Sequence, residues 1–122
     1  FTVAFNTGMS NMRTNNYTEA EKHLKEAVKI NPRASYVYSA LGNLYYKTGR
    51  LIDSTKAYVM ATGLSPQDVT LKLNLGMVYY RRRAYKEAVG MFESVLSVAG
   101  PKSQQGDYSA KMINKIKSEI KK

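Results

Sequence analysis

The sequence predicts an all-α fold of three antiparallel helical hairpins followed by one further helix. Gly8, Gly42 and Gly76 are spaced 34 residues apart, which is the fixed period of a repeat protein. Within each period, apolar residues recur at the spacing of one face of an α-helix. Pro32 and Pro66 stand at the same place in successive periods, where proline stops one helix and begins a turn.

The period divides the chain into three repeats and a C-terminal segment, which we expect to form one continuous domain. We place the boundaries at residues 1–34, 35–68, 69–101 and 102–122, with Pro101 closing the third repeat one residue late. The chain begins at Phe1 rather than at methionine, so we expect a trimmed or processed piece of a longer protein. Both a cytoplasmic and an exported location remain open, and the first is favoured.

The residue pattern within each repeat predicts two helices that cross closely. In the middle repeat, the first helix carries Tyr38, Leu41, Gly42 and Tyr45, and the second carries Leu51, Tyr58 and Ala61. Gly42 and Ala61 are small enough for the point where the two helices touch. Gly49 ends the first helix at a position that favours left-handed backbone. Asn15 and Arg83 occupy the equivalent positions in the other repeats.

The pattern resembles the tetratricopeptide repeat family over residues 1–101. That family has a small residue and an aromatic in the first helix, then an aromatic, alanine, a bulky apolar residue, alanine and proline through the second. The residues that carry the resemblance are Leu41, Gly42 and Tyr45, Leu75, Gly76 and Tyr79, Tyr17 and Ala20, Tyr85 and Ala88, Leu24, Tyr58, Phe92, Ala27, Ala61, Pro32 and Pro66. Asn11, Ser54 and Val95 depart from it. The resemblance implies a right-handed superhelix and a non-catalytic role in binding other proteins.

A seventh helix is predicted after Pro101. Asp107 is a good residue to cap its start, and Met112, Ile113, Ile116 and Ile120 fall on one face. Five lysines, Lys111, Lys115, Lys117, Lys121 and Lys122, lie mostly elsewhere. We interpret this segment as a capping helix that covers the apolar face of the last repeat. The alternative is a basic amphipathic helix on an anionic membrane, which the short apolar stripe disfavours.

The composition argues against several kinds of active site. The chain has no cysteine, which excludes disulfides, thiolate metal sites and a cysteine nucleophile. His23 is the one histidine, and its place on a polar helix face predicts a solvent-facing side chain rather than a metal ligand. No nucleophile elbow or phosphate-binding glycine loop is present. We therefore predict a protein that is not an enzyme, with no catalytic residues, metal or cofactor.

The charge is strongly positive and unevenly distributed. The formal net charge is +10, and residues 69–122 hold eleven of the nineteen lysines and arginines. This skew favours an acidic partner or an anionic surface through long-range attraction.

A binding groove is predicted on the first helices of the three repeats. If these helices bury the stripe that contains Leu41, Gly42 and Tyr45, the neighbouring stripe faces the inside of the superhelix. This predicted groove comprises Phe5, Met9, Met12, Arg13, Tyr36, Asn43, Tyr46, Lys47, Leu73, Met77, Tyr80 and Arg81. Methionine and aromatic side chains suit contact with a peptide or a helix of another protein. We expect such a partner, of acidic character.

The groove residues have a second interpretation. Its apolar residues could instead be covered by a preceding segment, by a further repeat or by a second copy of the chain. Some relatives grip a chaperone's C-terminal carboxylate, but the matching places hold Phe5, Met9, Ala40, Thr70 and Asn74, so that clamp is absent.

Nucleic acid is the alternative partner of another class. Arg81, Arg82 and Arg83 lie beside tyrosines, as in single-strand binders, yet such a run also complements the helix dipole. Because no nucleic-acid-binding motif accompanies them, nucleic acid and membrane are the disfavoured alternatives.

Overall fold

Seven α-helices and no strands make up residues 1–121, the part of the chain that this computed structural model describes. The helices are α1 (Thr2–Arg13), α2 (Tyr17–Ile30), α3 (Ser35–Lys47), α4 (Leu51–Leu64), α5 (Val69–Arg81), α6 (Tyr85–Ala99) and α7 (Gln104–Ile120). Lys122, which we assigned to the capping segment, lies outside the described residues. The predicted all-α fold of three hairpins and a further helix is confirmed. Within residues 1–121, no helix has both the length and the apolar character required to cross a bilayer.

The chain forms two compact units, one of residues Phe1–Ser65 and one that begins at Pro66. The first unit contains the hairpins α1–α2 and α3–α4, and α2 also packs against α3. In the second unit, α7 packs against both helices of the hairpin α5–α6. Each unit buries its own apolar cluster. Our expectation of one continuous domain stays a prediction.

The repeated glycines lie where the two helices of a hairpin touch. A Cβ atom added to any of them would stand closer to the second helix than real Cβ atoms do, so a larger residue would push the helices apart. The nearest side chains and their distances from that added atom are Leu24 at 2.8 Å for Gly8, Tyr58 at 2.7 Å for Gly42 and Phe92 at 2.9 Å for Gly76. The 34-residue period is therefore a packing period, in which each glycine accommodates a bulky residue of the following helix.

Ser54 replaces the alanine of this pattern without leaving a buried polar group unpaired. Like Ala20 and Ala88, Ser54 is fully buried. Its hydroxyl donates a 2.7 Å hydrogen bond to the carbonyl oxygen of Gly42. The serine therefore keeps the small volume that the crossing requires and adds one bond between α3 and α4.

The three hairpin turns close in the same way. Asn15, Gly49 and Arg83 all have left-handed backbone, with φ angles of 62°, 79° and 62°. The next residue in each turn donates its N–H to a carbonyl near the end of the first helix: Asn16 to Asn11 at 2.8 Å, Arg50 to Tyr45 at 2.8 Å and Ala84 to Tyr79 at 2.9 Å. This is the hydrogen-bond pattern of a helix end that turns through a left-handed residue. Arg83 adopts it although arginine rarely does.

A polar network joins the two hairpins of the first unit. Glu21 on α2 accepts hydrogen bonds from the Tyr45 hydroxyl at 2.9 Å and from Arg50 at 2.8 Å, and Lys25 lies 3.0 Å away. Arg50 also pairs with Asp53 at 3.0 Å and covers the Tyr45 ring at 4.4 Å from its centroid. Partial burial alone raises the pKa of Glu21, but the hydrogen bonds from Arg50, Lys25 and Tyr45 outweigh it and lower that pKa to about 2.

Helix α7 begins earlier than we predicted. Ser103, not Asp107, caps its start, because the Ser103 hydroxyl accepts the Gly106 N–H at 2.9 Å and donates to the Gly100 carbonyl at 2.8 Å. Asp107 lies in the first turn, where it pairs with Lys111 at 3.0 Å.

The apolar face of α7 is buried against the last hairpin. Met112, Ile113 and Ile116 are at most 8% exposed and pack with Ala88 and Phe92. Ile120, which we placed on the same face, is 61% exposed near the helix end. The capping interpretation thus holds for three of the four apolar residues, and these three are not available to contact a membrane.

Candidate functional site

All twelve residues of the predicted groove lie on the first helix of a hairpin. Phe5, Met9, Met12 and Arg13 are on α1, Tyr36, Asn43, Tyr46 and Lys47 are on α3, and Leu73, Met77, Tyr80 and Arg81 are on α5. The first two sets belong to the first unit and the third set to the second, so the two surfaces are described separately.

Three aromatic rings form the apolar part of the surface in the first unit. Phe1 and Phe5 are stacked at 6.2 Å between centroids, and Tyr36 meets them edge-on at 6.2 Å and 5.1 Å. Offset stacks and edge-to-face contacts are favourable arrangements for aromatic rings. Tyr36 remains 52% exposed. The surface thus presents the Tyr36 ring, which contacts both phenylalanines and stays half exposed to solvent.

The two methionines of α1 contribute less than we predicted. Met9 is half-buried against the core of the first unit, and Met12 is only 7% exposed. Met12 shares the buried face of α1 with Ala4 and Gly8, because residues four apart lie one above the other on a helix. Met12 is therefore a core residue and presents little surface to a partner.

Polar groups surround the aromatic surface on α3. Asn43 and Lys47 are exposed, whereas Tyr46 is half-buried. Burial of the Tyr58 side chain, with a smaller contribution from Tyr46, raises the pKa of Tyr58 to about 12. Asn43 offers both a donor and an acceptor to a ligand.

The surface in the second unit is a cleft between α5 and α7. It has a volume of about 410 Å³, within the range of ligand pockets. Its lining residues are Leu73, Gln104, Gln105, Asp107, Tyr108 and Lys111. The Tyr108 hydroxyl also lies 3.1 Å from the Met77 sulfur. Sequence reasoning found Leu73 and Met77 but missed the α7 side, because we treated α7 only as a cover.

Tyr80 is held by α7. Its hydroxyl donates to Glu119 at 2.7 Å, and the Lys115 ammonium lies 5.5 Å from the ring centroid. Tyr85 donates to the other oxygen of Glu119 at 2.9 Å. Hydrogen bonding to the carboxylate raises the pKa of both tyrosines. Tyr80 is consequently a half-buried contact between α5 and α7 as well as a member of the predicted groove.

No metal site is found in the part of the chain that the structure describes. His23 is half-buried and lies 3.7 Å from Glu19 and 4.0 Å from Glu26 on the same helix. Across residues 1–121, no three His, Cys, Asp or Glu side chains are placed to share an ion.

Family models match most of the chain. A model described as TPR repeat matches residues 12–49, and one described as Tetratricopeptide repeat matches residues 39–107. The solved structure of the first TPR of Spaghetti (RPAP3) bound to the HSP90 peptide SRMEEVD is similar, with a TM-score of 0.85. The likeness covers 98% of this chain and 92% of that one, at 15% identity, and it shows a shared fold.

Two curated relatives are much longer than this chain. Superkiller protein 3 of Schizosaccharomyces pombe is 28% identical over 91 residues, which cover 75% of this chain and 7% of that protein. Protein O-mannosyl-transferase F38B6.6 of Caenorhabditis elegans is 31% identical over 73 residues, or 60% of this chain and 11% of that protein. The chain thus matches only a small share of each relative, and the transferase name belongs to the longer protein.

Proposed function

The chain belongs to the tetratricopeptide repeat family, whose domains are protein–protein interaction modules, and from that premise we propose that it binds a peptide or helix of a partner protein through α1, α3 and α5. The observation that carries the proposal is the ordered aromatic cluster of Phe1, Phe5 and Tyr36, with Tyr36 half exposed. Large exposed rings supply contact area at a low cost in conformational entropy, which is why they dominate recognition surfaces.

The cleft between α5 and α7 supports the same proposal. Leu73 gives it an apolar wall, while Gln104, Gln105 and Asp107 bring polar groups to the other side. An apolar cavity with a few convergent polar groups is suited to one side chain of an extended peptide.

The proposed ligand is not a C-terminal carboxylate. The similar structure that carries an HSP90 peptide is a tetratricopeptide domain, but this chain has Phe5, Met9, Ala40, Thr70 and Asn74 where carboxylate-gripping relatives have their Lys, Asn and Arg residues. None of these side chains is cationic, so no strong electrostatic partner for a terminal carboxylate is present at those positions.

The experiment is selection of ligands from a random-peptide phage library, followed by calorimetry on the selected peptides. We expect Tyr36→Ala to weaken their binding by about 1–2 kcal/mol, since the ring is an exposed anchor. Lys22→Ala, an exposed change on α2, is the matched control and should leave affinity unchanged. If no peptide is selected, or if both variants bind like the wild type, recognition does not use this surface.

A further inference from the structure

Positive charge is concentrated where α5, α6 and α7 come together in the second unit. We call this surface the cationic turn and define it as Arg81, Arg82, Arg83, Lys86 and Lys115, all of them exposed. The three arginines end α5 and form the turn, and Lys86 lies in the first turn of α6. Lys115 belongs here because its ammonium lies 5.5 Å from the ring of Tyr80, which immediately precedes the arginines.

The main carboxylate at this surface is already used within the unit. Glu119 accepts hydrogen bonds from Tyr80 at 2.7 Å and from Tyr85 at 2.9 Å. These bonds join α7 to the hairpin, and Lys115 of α7 lies over the ring of Tyr80. Glu87 is the other acidic residue on these turns, so positive charge remains in excess.

Arg83 combines a strained backbone with an exposed side chain. Its φ angle is 62°, in the left-handed region that disfavours residues with a Cβ atom. Gly49 and Asn15, at the equivalent turns, are residues that tolerate this backbone. The Arg83 side chain is exposed to solvent. A strained backbone at an exposed side chain points to a use for that side chain.

The aromatic and apolar groups near the cationic turn are partly or fully buried. Tyr79, Tyr80 and Tyr85 pack partly buried against the core of the second unit, so none of these three rings stands fully exposed, as a stacking platform for nucleic-acid bases would. The apolar face of α7 is buried, so it cannot insert into a membrane. Arginine guanidinium groups bind carboxylates through paired hydrogen bonds.

We propose that the cationic turn is a docking surface for an acidic segment of a partner protein. It shares only Arg81 with the predicted groove and is centred on the exposed Arg83. The inference does not depend on the groove, because it rests on the charge, the strained turn and the Glu119 contacts. A partner with a run of Asp and Glu residues would match the charge of this surface.

The test measures binding of a fluorescent peptide of about eight glutamates, which spans about 26 Å when extended. We expect the wild type to bind it at an ionic strength of about 0.01 M and to bind weakly at about 0.1 M, because the Debye length shortens from about 30 Å to about 10 Å. The triple variant Arg81→Gln, Arg82→Gln, Arg83→Gln should lose about tenfold or more in affinity.

The matched control removes the same charge from the first unit. Lys22→Gln, Lys29→Gln, Arg33→Gln changes three exposed cations outside the cationic turn and should cost about threefold or less. An equal loss in both triple variants would overturn the proposal, because net charge alone would then explain binding. No binding by the wild type at the lower ionic strength would overturn it as well.

Single substitutions separate charge from folding. Arg83→Asn and Arg83→Gly keep the left-handed turn, so both should raise the thermal midpoint and lower peptide affinity together. Unchanged affinity in both variants would contradict the assignment of Arg83.

Tighter binding of oligodeoxythymidylate of equal charge, or of phosphatidylserine vesicles, would assign the turn to nucleic acid or to a membrane and overturn the proposal.

Discussion

At the residue scale, one left-handed position in each hairpin turn sets a measurable part of the stability. Gly49 meets this requirement without strain, whereas Arg83 does so with a Cβ atom in a crowded conformation. We expect Arg83→Gly to raise the free energy of unfolding by about 0.5–1 kcal/mol and Gly49→Ala to lower it by about 1 kcal/mol. Urea denaturation measures both changes. Shifts of the same sign in the two variants would contradict a shared backbone requirement.

A second residue-scale prediction concerns the helix crossing in the middle repeat. A Cβ atom on Gly42 would stand 2.7 Å from the Tyr58 ring, so Gly42→Ala should overpack the hairpin and cost about 1–3 kcal/mol. Ala61 is fully buried, and Ala61→Phe should also overpack the hairpin.

Gly63, on the same hairpin, has no atom within 4 Å of an added Cβ. Gly63→Ala is therefore the control and should stabilise α4 by about 0.5–1 kcal/mol. Thermal unfolding followed by circular dichroism distinguishes these signs.

At the scale of helices, the Glu21 network makes the packing of α2 on the α3–α4 hairpin depend on pH. The pKa of Glu21 falls from its ordinary 4.5 to about 2 in the folded chain. Its contribution is therefore complete above pH of about 4.5 and is lost as pH falls towards about 2. We expect Glu21→Gln to reduce the free energy of unfolding by about 1–3 kcal/mol at neutral pH. The difference from the wild type should vanish near pH 2. A constant difference across this range would show that Glu21 acts through packing alone.

The six hairpin helices could be predicted because their determinants recur. Each 34-residue period repeats the same glycine, and the bulky residue that packs against it follows at a fixed distance. A helix that one repeat indicates weakly is therefore indicated again at the same position of the other repeats. The left-handed residue of each hairpin turn also recurs at a fixed position, although only Gly49 is the glycine that this backbone favours most. Repetition thus supplied the evidence that an alignment of relatives ordinarily supplies.

The contacts of α7 could not be predicted, because they do not follow from the period. The start of α7 depends on a Ser103 hydroxyl that bonds to both sides of the turn. The hydrogen bonds that Tyr80 and Tyr85 donate to Glu119 join residues more than thirty positions apart, and no sequence spacing marks them. Non-local pairing is decided by tertiary packing. The prediction of Met12 in the groove is a different case: Met12 lies four residues after Gly8, on the buried face of α1, and this spacing already indicates a side chain that turns into the core.

At the scale of the whole molecule, the charge and the aromatic surfaces have different roles. A net charge of +10 attracts any acidic protein over long distances and does not choose among them. Selection requires contacts at close range, which exposed rings and the cleft beside Leu73 can make. Salt should therefore weaken the first contribution strongly and the second little.

The last prediction separates recognition by the predicted groove from stabilisation of the fold. We expect Tyr46→Ala with Tyr80→Ala to weaken binding of a library-selected peptide by about 2 kcal/mol or more, if the two rings are central anchors. Because Tyr80 also bonds to Glu119, this loss alone could reflect displacement of α7. Tyr80→Phe keeps the ring and removes that bond, so it should preserve affinity while lowering the thermal midpoint.

The surface control is Lys22→Ala with Lys56→Ala, which changes two exposed cations on the second helices and should alter neither the affinity nor the thermal midpoint. Calorimetry on the three variants and the wild type tests this, and equal affinity for the wild type and the double tyrosine variant would place recognition on another face.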